Sequence, residues 1–146
     1  MSVELFGNGD ARVREAMAVR FAVFVDEQRV PPGIEIDEHD EPDDAGTVHA
    51  IVRRGGTAIA AGRFYRRDPE TAQIGRMAVL RAFRRSGIGR ALLDALLDEA
   101  CRRGYRRARL SAQTHAIAFY EKAGFAVFGG VYDDAGIPHR DMEREL

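Results

Sequence analysis

An α/β domain with a mixed sheet is predicted, and three observations carry that expectation. Over residues 47–80 hydrophobicity follows a two-residue period broken at Gly55-Gly56 and Asp68-Pro69, which reads as consecutive strands joined by tight turns. Over 86–103 the period becomes helical, with Ile88, Leu92, Leu93, Leu96, Leu97, Ala100 and Cys101 on one face. A strand pattern then returns at 107–112. Strand, helix and strand in succession form a βαβ crossover, which requires parallel strands.

Each element follows from local chemistry. Residues 2–6 make a short strand ended by Gly7, Asn8 and Gly9. Asp10 supplies a capping oxygen for a helix to about Phe24, in which Val13, Met17, Phe21 and Phe24 recur at helical spacing. Residues 26–46 hold three prolines and an acidic run in which seven of the ten residues from 35 to 44 are Asp or Glu. They are expected to be a long loop with at most a short helical turn, its acidic side chains solvated. Strands at 48–53 and 57–65 make a hairpin whose paired glycines supply positive φ, and a third strand at 72–80 completes an antiparallel meander. Gly104 stops the following helix. The strand at 107–112, a short helix at 115–122 ended by Gly124, and strands at 125–132 and 140–146 around an Asp-Asp-Ala-Gly turn finish the chain.

Composition excludes several classes. At 146 residues, with 45% hydrophobic and 31% charged content, the chain is expected to form a single domain over 1–146. The net charge of -1 argues against a nucleic-acid binder, although arginines cluster at 66–67, 84–85, 102–103 and 106–107. Lys122 is the only lysine, and that bias is read as genome composition. No apolar run approaches the roughly 20 residues of a membrane span, and the N-terminus lacks the order of a signal peptide, so a cytoplasmic protein without membrane partners is expected. Cys101 is the single cysteine, which rules out an intrachain disulfide and cysteine-rich zinc sites. Its place on the apolar face marks it as a small packing residue.

The turn from Arg84 to Gly89 carries the first chemical signal. A strand entering a helix through Arg84, Arg85, Ser86, Gly87, Ile88 and Gly89 leaves backbone N–H groups beside the positive end of the helix dipole, a phosphate site. A P-loop would need a lysine after the glycines, and none is present. A dinucleotide fingerprint would need a third glycine where Leu92 stands. What remains is R-x-x-G-x-G, followed by Arg90 in the first helical turn.

The segment RRSGIGRALL resembles the acetyl-CoA-binding signature of the GNAT superfamily of N-acetyltransferases, and HAIAFYEKAGF is similar to that family's second signature. In the second, Ala116, Phe119, Tyr120, Gly124 and Phe125 fall at matching positions, while Gln113 stands where the family often has Asn. The stretch FAVFVDEQRVPPGIEIDEHD, with LSAQ at 110–113 and GIPH at 136–139, resembles the ElaA-like subgroup. The resemblance implies a GNAT-type acyl-CoA N-acyltransferase fold, a mixed twisted sheet whose N-terminal meander and crossover form a CoA groove. It implies that the backbone of Arg85, Ser86, Gly87, Ile88, Gly89 and Arg90, with Arg84 beside it, binds the CoA pyrophosphate. Met77, Ala78 and Val79 would pair with the pantetheine arm, and Gln113, Ala116, Phe119 and Tyr120 would line it.

The implied activity is acetyl transfer from acetyl-CoA, without a metal, to a primary amine of a small molecule or peptide, by direct attack in a ternary complex. The alternative is an acyl-CoA-binding or sensing module with little catalytic activity. Tyr120 would protonate the leaving sulfur, and a backbone N–H of 77–79 would polarise the carbonyl. Three groups compete as general base: Glu27 acting through water, His139 in GIPH, and His115. His39 and His49 have carboxylate neighbours but no regular ligand spacing. The acidic run would favour a cationic amine if it lined the acceptor side. The assembly is expected to be a monomer or homodimer.

Overall fold

The computed structural model describes residues 2–41 and 46–146, so Asp43 and Asp44 of the acidic run lie outside the described residues. Seven strands form one sheet: β1 (Glu4–Phe6), β2 (Val48–Arg54), β3 (Thr57–Asp68), β4 (Thr71–Val79), β5 (Arg107–Gln113), β6 (Ala126–Asp134) and β7 (Ile137–Glu145). Their spatial order is β1-β2-β3-β4-β5-β7-β6. Only β4 and β5 are parallel, joined by the expected crossover. Every other pairing is antiparallel. The last two strands enclose a turn at Ala135 and Gly136, so both extend further toward it than the sequence suggests.

Four α-helices complete the fold: α1 (Val13–Arg20), α2 (Pro32–Glu35), α3 (Ile88–Arg102) and α4 (Ile117–Lys122). Alternate residues of β2 divide between two cores, as the pleat requires. Val48, Ala50 and Val52 pack with α3 and α4, whereas Ile51 packs with α1. In α3, Ile88, Leu92, Leu93, Leu96, Leu97 and Ala100 are buried, and burial stabilises by roughly 2 kcal/mol per large aliphatic side chain. No helix among the described residues is long and apolar enough to cross a membrane.

Three local expectations need correction. The first helix does not stop at Phe24 but continues as a π-helical turn over Phe21–Glu27. Its deepest face is Ala16, Val19, Arg20 and Val23 instead of the stripe through Met17 and Phe21. That face includes Arg20, which is 1% exposed. Apolar periodicity cannot find a face that contains a buried arginine. Cys101, expected in the core, is exposed, because the buried stripe of α3 turns away after Ala100.

One irregularity positions everything that follows. Between the pairs Ala61↔Ala78 and Arg63↔Gly75, Gly62 of β3 faces both Arg76 and Met77 of β4. This is a β-bulge, with Arg76 in the left-handed region at φ 53°. Parallel pairing of β4 with β5 ends at Ile74↔Leu110, so beyond it the two strands present free edges to one another.

Gly62 is required by this arrangement. A Cβ there would sit 2.5 Å from Met77 Sδ and 3.2 Å from methyls of both Leu92 and Leu96. Gly62→Ala is therefore expected to displace Met77 and to lower unfolding stability by about 1–3 kcal/mol, the usual cost of overpacking. The denaturant midpoint measures it, and an unchanged midpoint would show that the bulge tolerates a filled Gly62.

Candidate acyl-donor and acceptor site

The split between β4 and β5 opens into a cavity of about 1080 Å³. At one end lies the turn before α3. Arg85 and Gly87 both have positive φ, 64° and 82°. Among the described residues, no acceptor is found for any backbone N–H of Arg85, Ser86, Gly87, Ile88, Gly89 or Arg90, the first helical bond being Ala91 N–H to Gly87 O. A left-handed turn carrying consecutive free N–H groups at a helix N-terminus is a concave anion site. Arg85, exposed and without an ion pair among the described residues, adds positive charge. The side chain of Ile88 is buried in the core, so only its backbone serves this turn.

From that turn the free edge of β4, with Met77, Ala78 and Val79, forms one wall of the cavity. Ala116, just before α4, and Phe119 and Tyr120 within it form the facing side. Phe119 lies 3.5 Å from where a Cβ on Gly89 would sit, so ring and turn are within van der Waals contact distance there. Tyr120 is held edge-on between Phe119, at 5.0 Å, and Phe125, at 6.0 Å. Burial raises the pKa of its phenol well above 10, so it stays protonated at neutral pH. Its hydroxyl makes no hydrogen bond among the described residues.

The other predicted residues fall into distinct settings. Gln113 exchanges two amide hydrogen bonds with Gln28, at 2.8 and 3.2 Å, pinning the end of the π-helical turn to β5. His115 Nε2 donates to Gln113 Oε1 at 2.7 Å. Glu27 accepts a bidentate pair from Arg84, both bonds 2.7 Å, with Arg81 at 3.4 Å. The hydrogen bond from Arg84 holds the Glu27 pKa below the ordinary carboxylate value. Arg84 Nε also donates to Val79 O at 2.8 Å, so this pair braces the phosphate turn against β4. Arg90 is turned outward to Asp94 and the Lys122 carbonyl. His139, buried at the cavity wall, donates from Nδ1 to Ile137 O at 2.7 Å, so Nε2 is the ring nitrogen left to face the cavity.

The acidic run is only in part the solvated segment the sequence suggests: Glu38 and Glu41 are exposed, whereas Glu35, Asp37 and Asp40 are paired with arginines. Arg20 bonds Glu35 Oε2 at 2.8 Å and Asp40 Oδ1 and Oδ2 at 2.8 and 3.0 Å. Arg63 bonds Asp37 and Asp40, and Arg76 bonds Glu35 at 3.0 Å and Asp37 at 3.2 Å. Three guanidinium groups and three carboxylates thus neutralise one another. Arg20, Arg63, Glu35 and Asp40 are buried. Burial alone would raise the Asp40 pKa, but the hydrogen bond from Arg20 and the charges of Arg63 and Arg20 hold it well below the carboxylate range. Because Glu35 and Asp37 line the cavity already paired, they do not form an open cation trap for the acceptor.

The two remaining histidines serve the same corner. His49 is buried and bonded to Asn8 Oδ1, and burial lowers its pKa from 6.5 to about 4. Asn8 Nδ2 donates to the carbonyls of His39 and Glu41, and His39 stacks on Tyr65 at 3.5 Å. Among the described residues no group of three His, Cys, Asp or Glu side chains could hold a metal ion. Sequence reasoning missed Gln28, Arg63 and Arg76. The arginines carried no signal beyond abundance, and the pairing of Gln28 with Gln113 spans 85 positions.

Comparison with known proteins agrees with this geometry. Residues 13–125 match the acetyltransferase (GNAT) family. The chain is 34% identical over 142 residues to the uncharacterized N-acetyltransferase YjcF of Bacillus subtilis, covering 97% of this chain and 98% of that one. The crystal structure of Escherichia coli ElaA superimposes with a TM-score of 0.87 at 28% identity, covering 99% of each chain. An acyl-CoA N-acyltransferase from Pseudomonas aeruginosa superimposes with a TM-score of 0.86 at 31% identity, covering 98% of each.

The buried charges give stability a defined pH dependence. His49 is neutral in the fold but titrates near 6.5 when unfolded, so its contribution is complete above pH 6.5 and lost as pH falls toward 4. That loss amounts to about 3 kcal/mol for a shift of this size. Asp37 and Asp40, with depressed pKa values, add stability above their unfolded values near pH 4 that is lost at lower pH. Denaturant midpoints are expected to fall from pH 6.5 to 4 and more steeply below, whereas a flat profile would contradict the burial of these groups.

Proposed function

The chain belongs to the acetyltransferase (GNAT) family, and we propose that it transfers the acetyl group of acetyl-CoA to a primary amine by direct attack, with donor and acceptor bound together. The observation that carries this reading is the single cavity that joins the free N–H groups of residues 85–90 to Tyr120 and His139 through the β4–β5 split. A phosphate-bearing donor anchored at the turn would lie along the free edge of β4, where backbone groups replace the lost strand pairing. Arg85 would strengthen that anchor through charge-assisted bonds.

Each proton has a place in this reading. His139 Nε2, the ring nitrogen left over when Nδ1 donates to Ile137, is assigned to take a proton from the attacking amine. A backbone N–H of 77–79 polarises the thioester carbonyl as the C–N bond forms. Tyr120, kept protonated by burial, gives its proton to sulfur as the C–S bond breaks. Glu27 is assigned a different role from the base expected of it. Its carboxylate is held as an anion by Arg84, which makes it a weak base and a strong brace for the phosphate turn.

Thiol release from acetyl-CoA, measured with a polyamine, an aminoglycoside and a lysine peptide, tests the proposal. Tyr120→Phe is expected to lower kcat roughly 100-fold, the ordinary contribution of a general acid, while leaving the affinity for acetyl-CoA near that of the wild type. Equal turnover in the variant would remove Tyr120 from the chemistry. Tight binding with no turnover of any amine would favour a sensing module.

A further inference from the structure

Ser111, Tyr132 and Asp141 form a hydrogen-bonded chain that the reaction above leaves unused. Tyr132 Oη donates to Asp141 Oδ1 at 2.7 Å. Ser111 Oγ is bonded to the same Tyr132 hydroxyl. A phenol has one proton, and here it points at the carboxylate, so the Ser111 proton must point at Tyr132. Toward the cavity, which Ser111 lines, its oxygen is then left as an acceptor only.

The place of Ser111 in the fold gives this polarity a use. It is the first residue of β5 beyond Leu110, where pairing with β4 ends. The free edge of β4 over 75–79 is roughly 16 Å long at the rise of a strand, running from the phosphate turn back to that point. An extended donor held at the turn therefore brings its reactive end to the apex of the split, beside Ser111. His139 shares this face, since Ser111 pairs with Asp141 and Gln113 with His139 across β5 and β7. Tyr132 pairs with His139 across β6 and β7, and their rings stack at 6.0 Å.

We propose that Ser111 Oγ binds the nitrogen of the acceptor amine, with Tyr132 and Asp141 as positioning residues that set the direction of its hydroxyl. The proposal rests on the transferase reading. A neutral primary amine has two N–H groups and a lone pair. One N–H meets Ser111 Oγ, the other meets His139 Nε2, and the lone pair faces the thioester. A secondary amine has one N–H and cannot satisfy both acceptors, so the site selects primary amines. No covalent step involves Ser111.

The test compares n-propylamine with N-methylpropylamine as acceptors, in the wild type, Ser111→Ala and Tyr132→Phe. The wild type is expected to prefer the primary amine, and Ser111→Ala to lose that preference while the KM for n-propylamine rises roughly tenfold, the size of one hydrogen bond. Tyr132→Phe keeps the ring against His139 but removes the chain, so it should raise the same KM without changing the KM for acetyl-CoA. Unchanged amine KM and preference in both variants would overturn the proposal while leaving the transferase reading intact. A crystal of the wild type soaked with CoA and n-propylammonium decides the question without turnover. Nitrogen density within hydrogen-bond reach of Ser111 Oγ supports it, and density confined to a carboxylate, such as Asp134, overturns it. A wild type that acetylates neither amine counts against the transferase reading, and the soak then decides the Ser111 assignment alone.

Discussion

One extra residue in β4 governs the site. The bulge at Arg76 and Met77 throws Met77 across Gly62 toward α3, and the parallel pairing with β5 stops at Ile74. An uninterrupted parallel pair would have closed the cavity, because each strand would have satisfied the other's backbone groups. Its loss leaves polar edges exposed in a cleft whose far end is a turn of free N–H groups. The turn favours an anion, and the strand edge an extended partner with both donors and acceptors. The cleft to which the donor is assigned is thus a consequence of backbone accounting more than of any catalytic side chain.

The bulge needs support, since a non-glycine residue at φ 53° is held only where its surroundings enforce it. Arg76 has that support in its bonds to Glu35 and Asp37, and those carboxylates are fixed in turn by Arg20 and Arg63. Burying such charges is costly, and a hydrophobic replacement of similar shape can be as stable. What the ions provide is direction. They tie residues 35–40 to β3, β4 and α1 at once, which fixes Glu35 and Asp37 in the wall of the cavity that the free edge of β4 also lines. The same neutralisation removes these carboxylates from substrate attraction, so in the proposed reaction recognition of the amine is assigned to Ser111 and His139 instead.

How far the fold was legible follows from the same physics. The strands at 48–54 and 57–68, the crossover and α3 announce themselves because one face is apolar and the turns contain glycine. The phosphate turn and the α4 segment are legible through their resemblance to a family, and the residues there do come together around one cavity. The acidic run was read as solvated because carboxylates are seldom buried, and their arginine partners lie 15 to 26 positions away for Arg20 and Arg63. Cys101 is exposed because the buried stripe of α3 ends at Ala100, whereas the first helix departs from its apolar face for a related reason. A helical wheel assumes that the buried face is the apolar one, and Arg20 violates that assumption. Ser111 and Tyr132 look like ordinary alternation in two strands until the sheet order places β5, β7 and β6 side by side.

Backbone amide exchange with and without acetyl-CoA tests the central claim most directly, that the β4–β5 split and the turn after it hold the donor. Saturating acetyl-CoA should slow exchange within 75–79, the strand left unpaired on its β5 side, and within 85–90, whose N–H groups lack acceptors among the described residues, and leave the buried pairs of β2 with β3 unchanged. Unaltered exchange in both segments, with protection appearing elsewhere or nowhere, would contradict the account.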